Sequence, residues 1–344
     1  MIDHFELGPG YRISRVINGG WQLSDGHGEG GYDRQAALED LLQLVESGLT
    51  TFDCADIYVG VEELLGDLAR SLADETPLQI HTKFVPNRSD LASLRRADVE
   101  SSIDRSLRRL GVERLDLVQF HWWDYGVPGY LEAAGWLAEQ QRAGKIRLLG
   151  ATNFDTARLQ EFLDAGIPMV TNQLQYSLLD RRPAPVMVDQ CQASGVHLLC
   201  YGVVAGGFLS SRWVGMPDPR EAVANRSLTK YRLIIEEFGG WSLFQELLAT
   251  LSRIARRHSV SLANVATRWV LDRPQVAGVI IGARSAAHLQ DNLRVFDFQL
   301  DQADEDALQD VLARSTGPVG EPFELERLPG GAHANIMKTD LNRP

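Results

Sequence analysis

Six apolar runs in succession end in, or lead into, a polar side chain that could transfer a proton or bind a polar ligand. These side chains carry a carboxylate, an ammonium, an imidazole, two amides and a phenol, on Asp53, Lys83, His121, Asn153, Gln173 and Tyr201. Packing alone does not select a polar residue at the end of one apolar run after another. We therefore expect the six groups to converge on one site, to which a further run adds Gly282, Ala283 and Arg284.

Each of these residues also has a purely structural interpretation. Asp53 could be a turn or helix-capping residue, or could form a buried ion pair with Lys83. Lys83 taken alone is typical of an exposed lysine, and His121 of a hydrogen-bonded core histidine. Tyr58, in the segment after Asp53, could simply pack as an aromatic side chain. The functional interpretation depends on the recurrence of polar groups at equivalent places.

The runs themselves have the length and composition of buried strands. Most are rich in branched side chains and too continuous for strands with one face in water, which is typical of parallel strands buried on both faces. They cover residues 16–20, 50–54, 78–83, 115–121, 146–150, 169–173, 196–201 and 276–281. Amphipathic, helix-like segments lie between them and cover residues 34–46, 99–110, 131–142, 156–163 and 285–293.

Eight strand-like runs alternating with helices predict an α/β fold of the (β/α)8 TIM-barrel class. The active site of such a barrel lies at the carboxyl ends of the strands, where the polar residues stand. A doubly wound open sheet is the alternative, but the Gly-x-Gly-x-x-Gly turn that this fold places after an early strand is missing.

We expect one domain over residues 1–344, with the barrel core over about 16–314. The segments that exceed a minimal barrel are a hairpin over 5–14, a long insert over 206–240 with helices over 243–257 and 262–271 after it, and an irregular tail over 315–344.

Composition excludes several classes of protein. The chain has 344 residues, 44% of them hydrophobic, and a net charge of −12, which suits a globular fold and disfavours nucleic acid or an anionic membrane as a partner. No apolar run approaches the length of a membrane helix, and the amino terminus does not resemble a signal peptide. Three cysteines without a C-x-x-C pair indicate neither a disulfide framework nor a cysteine metal site. A cytoplasmic location is the default expectation, and the oligomeric state is left open.

Short motifs along the chain resemble those of the aldo-keto reductase family, in the same order and at barrel spacing. Each motif alone is weak, but the set spans roughly residues 16–292 and is specific. The motifs are FDCADIY at 52–58, EELLG at 62–66, HTK at 81–83, LDLVQFH at 115–121, GKIR at 144–147, TNF at 152–154, NQ at 172–173, YGVVAGGFL at 201–209 and GARSAAHLQDN at 282–292. The resemblance implies an enzyme that binds NADP(H) across the barrel mouth and moves a hydride between nicotinamide and a carbonyl or alcohol carbon.

The resemblance also implies a catalytic tetrad of Asp53, Tyr58, Lys83 and His121. Hydride addition to a carbonyl generates an alkoxide, which a positioned acid must protonate. Lys83 would lower the pKa of the Tyr58 phenol, because an ammonium favours the phenolate, and Asp53 would offset part of the cost of burying Lys83. His121 would donate a hydrogen bond to the carbonyl oxygen.

The cofactor contacts follow from the same resemblance. Asn153 and Gln173 would bind the nicotinamide carboxamide, Tyr201 would stack on the ring, Arg284 would bind a phosphate, and Asn292 would meet adenine. The predicted cofactor-binding residues are Gly20, Trp21, Asp53, Asn153, Gln173, Tyr201, Gly202, Val203, Val204, Gly207, Leu209, Ile281, Gly282, Arg284, His288, Asp291 and Asn292.

Two departures from the family pattern concern the phosphates. Gly202, Val203 and Val204 stand where the family usually has Ser-Pro-Leu, which predicts a looser or differently hydrogen-bonded contact with the pyrophosphate. The Lys-Ser pair and later Arg of some members are replaced at 282, 283 and 288, so that Arg284 would be the main charge for a 2′-phosphate, assisted by a protonated His288. We therefore favour NADP(H), with NAD(H) as the alternative.

The substrate is expected to be a small carbonyl or alcohol compound, bound in a pocket of Trp21, Tyr58, His121 and Trp122. Aromatic walls suit an aromatic aldehyde, a ketone or the apolar face of an aldose, and the sequence does not separate them. Two other functions remain open at this point: a lyase with Lys83 as Schiff-base nucleophile, and a cofactor-binding regulatory subunit resembling potassium-channel β subunits.

Overall fold

Ten strands lie in the described part of the chain, and eight of them form a closed parallel barrel, which confirms the predicted fold class. The structure is a computed structural model that describes residues 2–24, 33–73, 76–184, 186–220, 226–283 and 285–342. The strands are β1 (His4–Gly8), β2 (Tyr11–Ser14), β3 (Val16–Gly19), β4 (Thr51–Asp53), β5 (Gln79–Phe84), β6 (Leu115–Phe120), β7 (Ile146–Thr152), β8 (Met169–Gln175), β9 (His197–Tyr201) and β10 (Val276–Gly282). Strand β10 closes the ring by pairing with both β9 and β3.

Helices connect the strands around the outside of the barrel. They are α1 (Arg34–Glu46), α2 (Val61–Ser71), α3 (Arg96–Leu110), α4 (Tyr130–Arg142), α5 (Thr156–Asp164), α6 (Val186–Ser194), α7 (Arg226–Phe238), α8 (Gly240–His258), α9 (Leu262–Leu271), α10 (Leu289–Leu293), α11 (Gln302–Leu312), α12 (Glu324–Arg327) and α13 (Ala332–Asn335). The helix expected over 285–293 is divided, because Ala286–His288 form a 3-10 turn before α10 and His288 leaves the helical region. None of the helices in these ranges has the length and apolar composition needed to span a bilayer.

The strand register places the predicted polar residues side by side at the carboxyl end. Lys83 lies opposite Gln119 between β5 and β6, and Thr152 lies opposite Gln173 between β7 and β8. Because side chains alternate along a strand, Leu117 and Gln119 of β6 both face the barrel interior, two residues apart. The polar end and the apolar end of the interior therefore share the same strands.

The hairpin predicted over 5–14 is present as β1 and β2 and covers the amino-terminal end of the barrel. Its Leu7, Tyr11 and Ile13 pack against barrel residues that include Ile17 and Leu117. All five side chains are at most 4% exposed, so this end of the interior is filled.

The tail returns across the carboxyl-terminal face of the barrel. Arg327 donates to the backbone oxygen of Trp122 at 2.8 Å. Near the end of the tail, Asn342 Nδ2 donates to Asp56 Oδ2 at 2.7 Å and to the backbone oxygen of Val85 at 3.1 Å. These bonds fasten the tail to segments that surround the barrel mouth.

Candidate active site

Lys83 and Asp53 form a buried ion pair at the carboxyl ends of β5 and β4. Lys83 Nζ donates to Asp53 Oδ2 at 2.6 Å and to the backbone oxygen of Cys54 at 2.7 Å. Burial by itself lowers the pKa of Lys83, but the adjoining Asp53 carboxylate outweighs it and holds that pKa above its ordinary value. Lys83 is therefore an ammonium with a fixed direction.

Tyr58 lies in the loop that follows β4, with its ring above this ion pair. The Lys83 ammonium is 5.2 Å from the centre of the Tyr58 ring, and the Trp21 ring meets the same ring edge-on at 4.9 Å between centres. Burial raises the pKa of Tyr58 to about 12, although Lys83 acts to lower it. Lys83 thus acts in the direction expected from the sequence, but desolvation of the phenol exceeds its effect, so the net pKa is raised and not lowered.

His121 follows β6 and points one ring nitrogen towards the same cavity. Its Nδ1 lies 3.1 Å from the backbone oxygen of Thr152, while its Nε2 is buried and has no hydrogen-bond partner in the described part of the chain. Burial, followed by the nearby Arg327, lowers the pKa of His121 to about 3, so that the ring is neutral. A carbonyl oxygen only accepts, so Nδ1 carries the hydrogen and Nε2 presents a lone pair. Donation to a substrate carbonyl therefore requires the other tautomer.

Gln119 and Gln173 donate hydrogen bonds to the Asp53 carboxylate oxygen that does not contact Lys83. Gln119 Nε2 donates to Asp53 Oδ1 at 3.0 Å, and Gln173 Nε2 donates to the same oxygen at 2.6 Å. Gln173 Nε2 also donates to Gln119 Oε1 at 3.0 Å. Both hydrogens of the Gln173 amide are thus used inside the protein, and only its oxygen can accept a bond from a ligand. Gln119 was not among the predicted residues, although it stands two positions before His121 on the inward face.

Asn153 presents a hydrogen-bond donor to a ligand, whereas Gln173 presents an acceptor. The Tyr201 hydroxyl donates to Asn153 Oδ1 at 2.8 Å, which leaves the Asn153 Nδ2 group as a donor. Asn153 has a φ of 62°, a left-handed conformation that asparagine adopts more readily than most residues. The pair Asn153 and Gln173 therefore offers one donor and one acceptor, which matches a carboxamide.

These groups open into one cavity of about 1120 Å³ that extends from Tyr58 and His121 to the region between α8 and α9. Most of the predicted site residues line it: Trp21, Asp53, Tyr58, Lys83, His121, Asn153, Gln173, Tyr201, Gly202, Val203, Val204, Gly207, Leu209, Ile281, Gly282, His288, Asp291 and Asn292. The volume is large enough for a dinucleotide and a small substrate together.

Two predicted residues, Gly20 and Trp122, are not part of this lining, and the position of a third is not described. Gly20 is buried behind it, where a side chain would collide with Val61, and its neighbour Gly19 lines the cavity instead. Arg284 lies outside the described residues. Trp122 is fully buried and donates its indole N–H to the backbone oxygens of Asp124 and Val127.

The placement of Trp122 in the substrate pocket is therefore wrong. Side chains alternate past the end of β6, so that His121 faces the cavity and Trp122 faces the outer core. Trp123 lines the cavity in its place, with its ring edge-on to His121 at 4.4 Å between centres.

The loop after β9 depends on glycine. Gly202 has a φ of 75°, and a Cβ there would lie 2.7 Å from the Tyr231 hydroxyl. Gly207 has a φ of 99°, and no described atom lies within 4 Å of its Cβ position, so the bare backbone is open to the cavity. The N–H groups of Gly207 and Leu209 both donate to the Val204 backbone oxygen, so a ligand would meet the open glycine backbone of this loop and not these two donors.

Two further segments contribute to the mouth without having been predicted. Phe323 of the tail lies edge-on to His121 at 5.5 Å between ring centres. Lys230 of α7 has its ammonium 5.1 Å from the centre of the Tyr201 ring and 3.4 Å from the Glu326 carboxylate. Burial opposes the charge of Glu326, but Lys230 and Arg182 outweigh it and lower its pKa to about 2. No motif marks these positions, because they come from segments far away in sequence.

The far end of the cavity is polar and basic. Arg256 of α8 and His288 line it. Asp291 is held by Ser261 Oγ at 2.8 Å and by Asn264, whose Nδ2 donates to the Asp291 backbone oxygen at 2.9 Å. This end has the groups expected for a ribose and a phosphate.

Comparison with known proteins agrees with this arrangement. The sequence profile described as "Aldo/keto reductase family" matches residues 15–313. The aldo-keto reductase YhdN of Bacillus subtilis is 26% identical over 324 residues, which cover 91% of this chain and 95% of YhdN. The NADH-specific methylglyoxal reductase of Escherichia coli is 23% identical over 318 residues, which cover 87% of this chain and 94% of that protein.

A solved structure extends the likeness to three dimensions. The glycerol dehydrogenase AKR11B4 of Gluconobacter oxydans superposes with a TM-score of 0.78 at 25% identity. The match covers 92% of this chain and 98% of the dehydrogenase chain.

Proposed function

The chain belongs to the aldo/keto reductase family of oxidoreductases, and we propose that it transfers a hydride between NADP(H) and a carbonyl or alcohol carbon, with Tyr58 as general acid and base. The observation that carries this proposal is the meeting of three groups in one cavity. The Tyr58 phenol, the Lys83 ammonium beneath its ring and the unpartnered Nε2 of His121 come from separate strands and loops.

The residues present fit a nicotinamide dinucleotide. Asn153 Nδ2 would donate to the carboxamide oxygen and Gln173 Oε1 would accept from its nitrogen, since their other polar atoms are already bonded within the protein. Tyr201 would stack on the ring, and the Gly202–Leu209 loop would cover the pyrophosphate. When bound, the cofactor supplies or accepts the hydride.

The protein's own part of the reaction is proton transfer at the substrate oxygen. Because burial raises the pKa of Tyr58 to about 12, the phenol is protonated at neutral pH and can protonate the alkoxide as it forms. Lys83 would stabilise the resulting phenolate, because its ammonium stays charged beside Asp53. His121 would direct the substrate oxygen towards Tyr58, giving up its Thr152 bond when Nε2 must carry the hydrogen.

Charge at the far end of the cavity supports NADP(H) over NAD(H). Arg256 and His288 line that end, and Arg284 follows Gly282 and Ala283 in sequence. Guanidinium groups bind phosphate strongly. Relatives with the opposite preference exist, as the name of the E. coli reductase shows, so both cofactors belong in the assay.

The substrate end of the cavity favours aldehydes or ketones with apolar or planar substituents. Ile57, Val85, Trp123, Phe323 and Met337 line it. Apolar walls of this kind bind apolar surface and leave sugar hydroxyls without partners. The raised pKa of Lys83 disfavours a Schiff-base lyase, since a nucleophilic lysine must lose its proton.

The test is a panel of aldehydes, ketones and aldoses, with the matching alcohols in the reverse direction, assayed with NADPH and NADH. Tyr58→Phe should lower turnover about 10²- to 10⁴-fold, the usual contribution of a general acid, with cofactor affinity unchanged. Tyr176→Phe is the control, because Tyr176 is a buried tyrosine that packs against Trp269 and does not line the cavity. Near-normal turnover in the Tyr58 variant would refute the acid assignment. Cofactor binding without turnover on any substrate would favour a regulatory subunit.

A further inference from the structure

Gln119 is a buried amide at the barrel mouth for which the proposed reaction has no direct use. It lies on β6 opposite Lys83 of β5, and its side chain is 0% exposed. The residue two positions earlier on the same face, Leu117, is apolar. A buried amide costs free energy unless both its ends are hydrogen-bonded, so its partners indicate its purpose.

Both ends of the Gln119 amide are used within the site. Its nitrogen donates to Asp53 Oδ1 at 3.0 Å, and its oxygen accepts from Gln173 Nε2 at 3.0 Å. Gln173 Nε2 closes the ring by donating to Asp53 Oδ1 at 2.6 Å. We call this closed set of Asp53, Gln119 and Gln173 the amide triangle.

The amide triangle fixes the orientation of two side chains, the Asp53 carboxylate and the Gln173 amide. Asp53 Oδ1 faces the two amides, so that Oδ2 is turned towards Lys83 Nζ at 2.6 Å. The two hydrogens of Gln173 are both occupied, so that its oxygen is turned to the cavity side. The ion pair below Tyr58 and the acceptor for the cofactor carboxamide are thereby held by one network.

We propose that Gln119 is a positioning residue for the reaction proposed above: it holds Asp53 and Gln173 in one hydrogen-bonded set and so aligns Lys83 under Tyr58 with the cofactor-binding amide. This inference rests on the proposed function. Gln119 touches neither substrate nor cofactor and acts through its two neighbours.

Loss of the amide would have a specific consequence. Without Gln119, one Gln173 hydrogen has no acceptor and Asp53 Oδ1 keeps a single donor, so both side chains gain freedom to rotate. Rotation of Asp53 displaces Lys83, and rotation of Gln173 can exchange its oxygen for its nitrogen at the cavity. Both turnover and cofactor affinity should suffer, while the volume of the core stays filled if the replacement has the same size.

The experiment compares Gln119→Met with Gln79→Met in the full chain. Gln79 is the matched control, because it is a buried glutamine on neighbouring β5 that accepts bonds from Thr50 and Thr51 at the opposite end of the strand. Gln119→Met should lower kcat/KM about tenfold and raise the dissociation constant of NADPH about threefold or more. Fluorescence titration measures that dissociation constant. Gln79→Met should leave both within twofold, and denaturation midpoints show how far each change affects folding.

Two further variants separate positioning from a general structural effect. In an Asp53→Asn background the effect of Gln119→Met on kcat/KM should become clearly smaller than in the unmodified chain, since the carboxylate that Gln119 turns towards Lys83 is gone and only its bond with Gln173 remains. In Gln119→Glu the introduced carboxyl can donate to Asp53 only while protonated. Activity relative to the unmodified chain should therefore fall by up to about tenfold as the pH rises through the raised pKa of that group.

The pH comparison is made against the unmodified chain because other titratable groups surround Asp53. They are Lys83 and His81 on β5 and Tyr58 and Cys54 on the loop after β4. These groups are common to both proteins, so only the difference between the two profiles reports the introduced carboxyl.

The outcomes are distinguishable. A chain that binds no NADPH and reduces no carbonyl overturns the proposed function, and this inference with it. If the chain binds NADPH and reduces carbonyls, two results would overturn this inference alone. One is that Gln119→Met changes kcat/KM no more than Gln79→Met does, and the other is that Gln119→Met lowers kcat/KM by the same factor in the Asp53→Asn background as in the unmodified chain. A loss of kcat/KM and of NADPH affinity in Gln119→Met but not in Gln79→Met, together with activity of Gln119→Glu that falls as the pH rises, supports this inference.

Discussion

The two ends of the barrel interior use the same strands for opposite purposes. At the carboxyl end, Asp53, Lys83, Gln119 and Gln173 form a network of charges and amides. We call these four residues, with His121 beside them in the same cavity, the mouth layer. At the amino end, Ile17, Leu117 and Leu199 pack against the hairpin, which we call the base layer. On β6 the change takes place between Leu117 and Gln119. We therefore predict that function and stability are separated by one step along a strand, and that substitutions in the two layers differ in kind.

The largest effect should follow from removing the charge of the mouth layer. Lys83→Met should lower carbonyl reduction about 10³-fold, because the phenolate of Tyr58 loses its stabilising ammonium. Lys145→Met is the control, since Lys145 pairs with Asp104 at the surface and such pairs contribute little. Steady-state kinetics measure both variants. If the two losses were similar, the mouth layer would have no special role.

The base layer should respond in stability and not in rate. Leu117 is 0% exposed, and Leu117→Ala should lower the free energy of unfolding by about 2–5 kcal/mol through the cavity it leaves. At temperatures where the variant stays folded, kcat/KM should match that of the unmodified chain within about twofold. Denaturant unfolding and kinetics at the same temperature provide the measurement. A tenfold loss of rate in the folded variant would contradict the separation of the two layers.

The last comparison, whose effect is smallest at neutral pH, concerns the pKa values of two buried histidines. Burial lowers the pKa of His81 to about 4 and, with Arg327 nearby, that of His121 to about 3, from an ordinary value of 6.5. The unfolded chain therefore takes up protons below about pH 6.5 while the folded chain does not. Each histidine makes the folded state less stable as the pH falls from 6.5 to about 4, by roughly 1.4 kcal/mol per pH unit.

Replacing each histidine should remove its share of that slope. His81→Leu should flatten the fall in stability between pH 6.5 and 4 without changing activity at neutral pH, whereas His121→Gln should flatten it and also slow turnover. Denaturant unfolding at a series of pH values gives the slopes, and other titrating groups cancel in the difference from the unmodified chain. An unchanged slope in His81→Leu would show that this ring is already protonated or exposed in the fold.

Much of the fold could be predicted because buried parallel strands leave a strong pattern in the sequence. All eight apolar runs became barrel strands, and the segments over 34–46 and 262–271 match α1 and α9 in both boundaries. The polar residues at the strand ends were likewise visible as interruptions of apolar runs. Their convergence follows from barrel closure, which the count of eight implied.

What the sequence concealed depends on alternation and on distant segments. Inward and outward positions alternate along β6, so Gln119 shares a face with His121 and Trp122 does not. Applying the two-residue alternation of a strand to the LDLVQFH motif and the tryptophan after it would have included Gln119 in the site and excluded Trp122. Phe323 and Lys230 reach the mouth from the tail and from α7, and nothing local in their sequence indicates where those segments fold.

The end of the tail has a practical consequence for preparing the protein. Asn342 is bonded to Asp56, which stands between Asp53 and Tyr58 in the chain. A purification tag joined directly to Asn342 would start beside the loop that carries Tyr58, where it would disturb this contact. The amino terminus enters the hairpin at the opposite end of the barrel. Recombinant material for kinetics should therefore be tagged there.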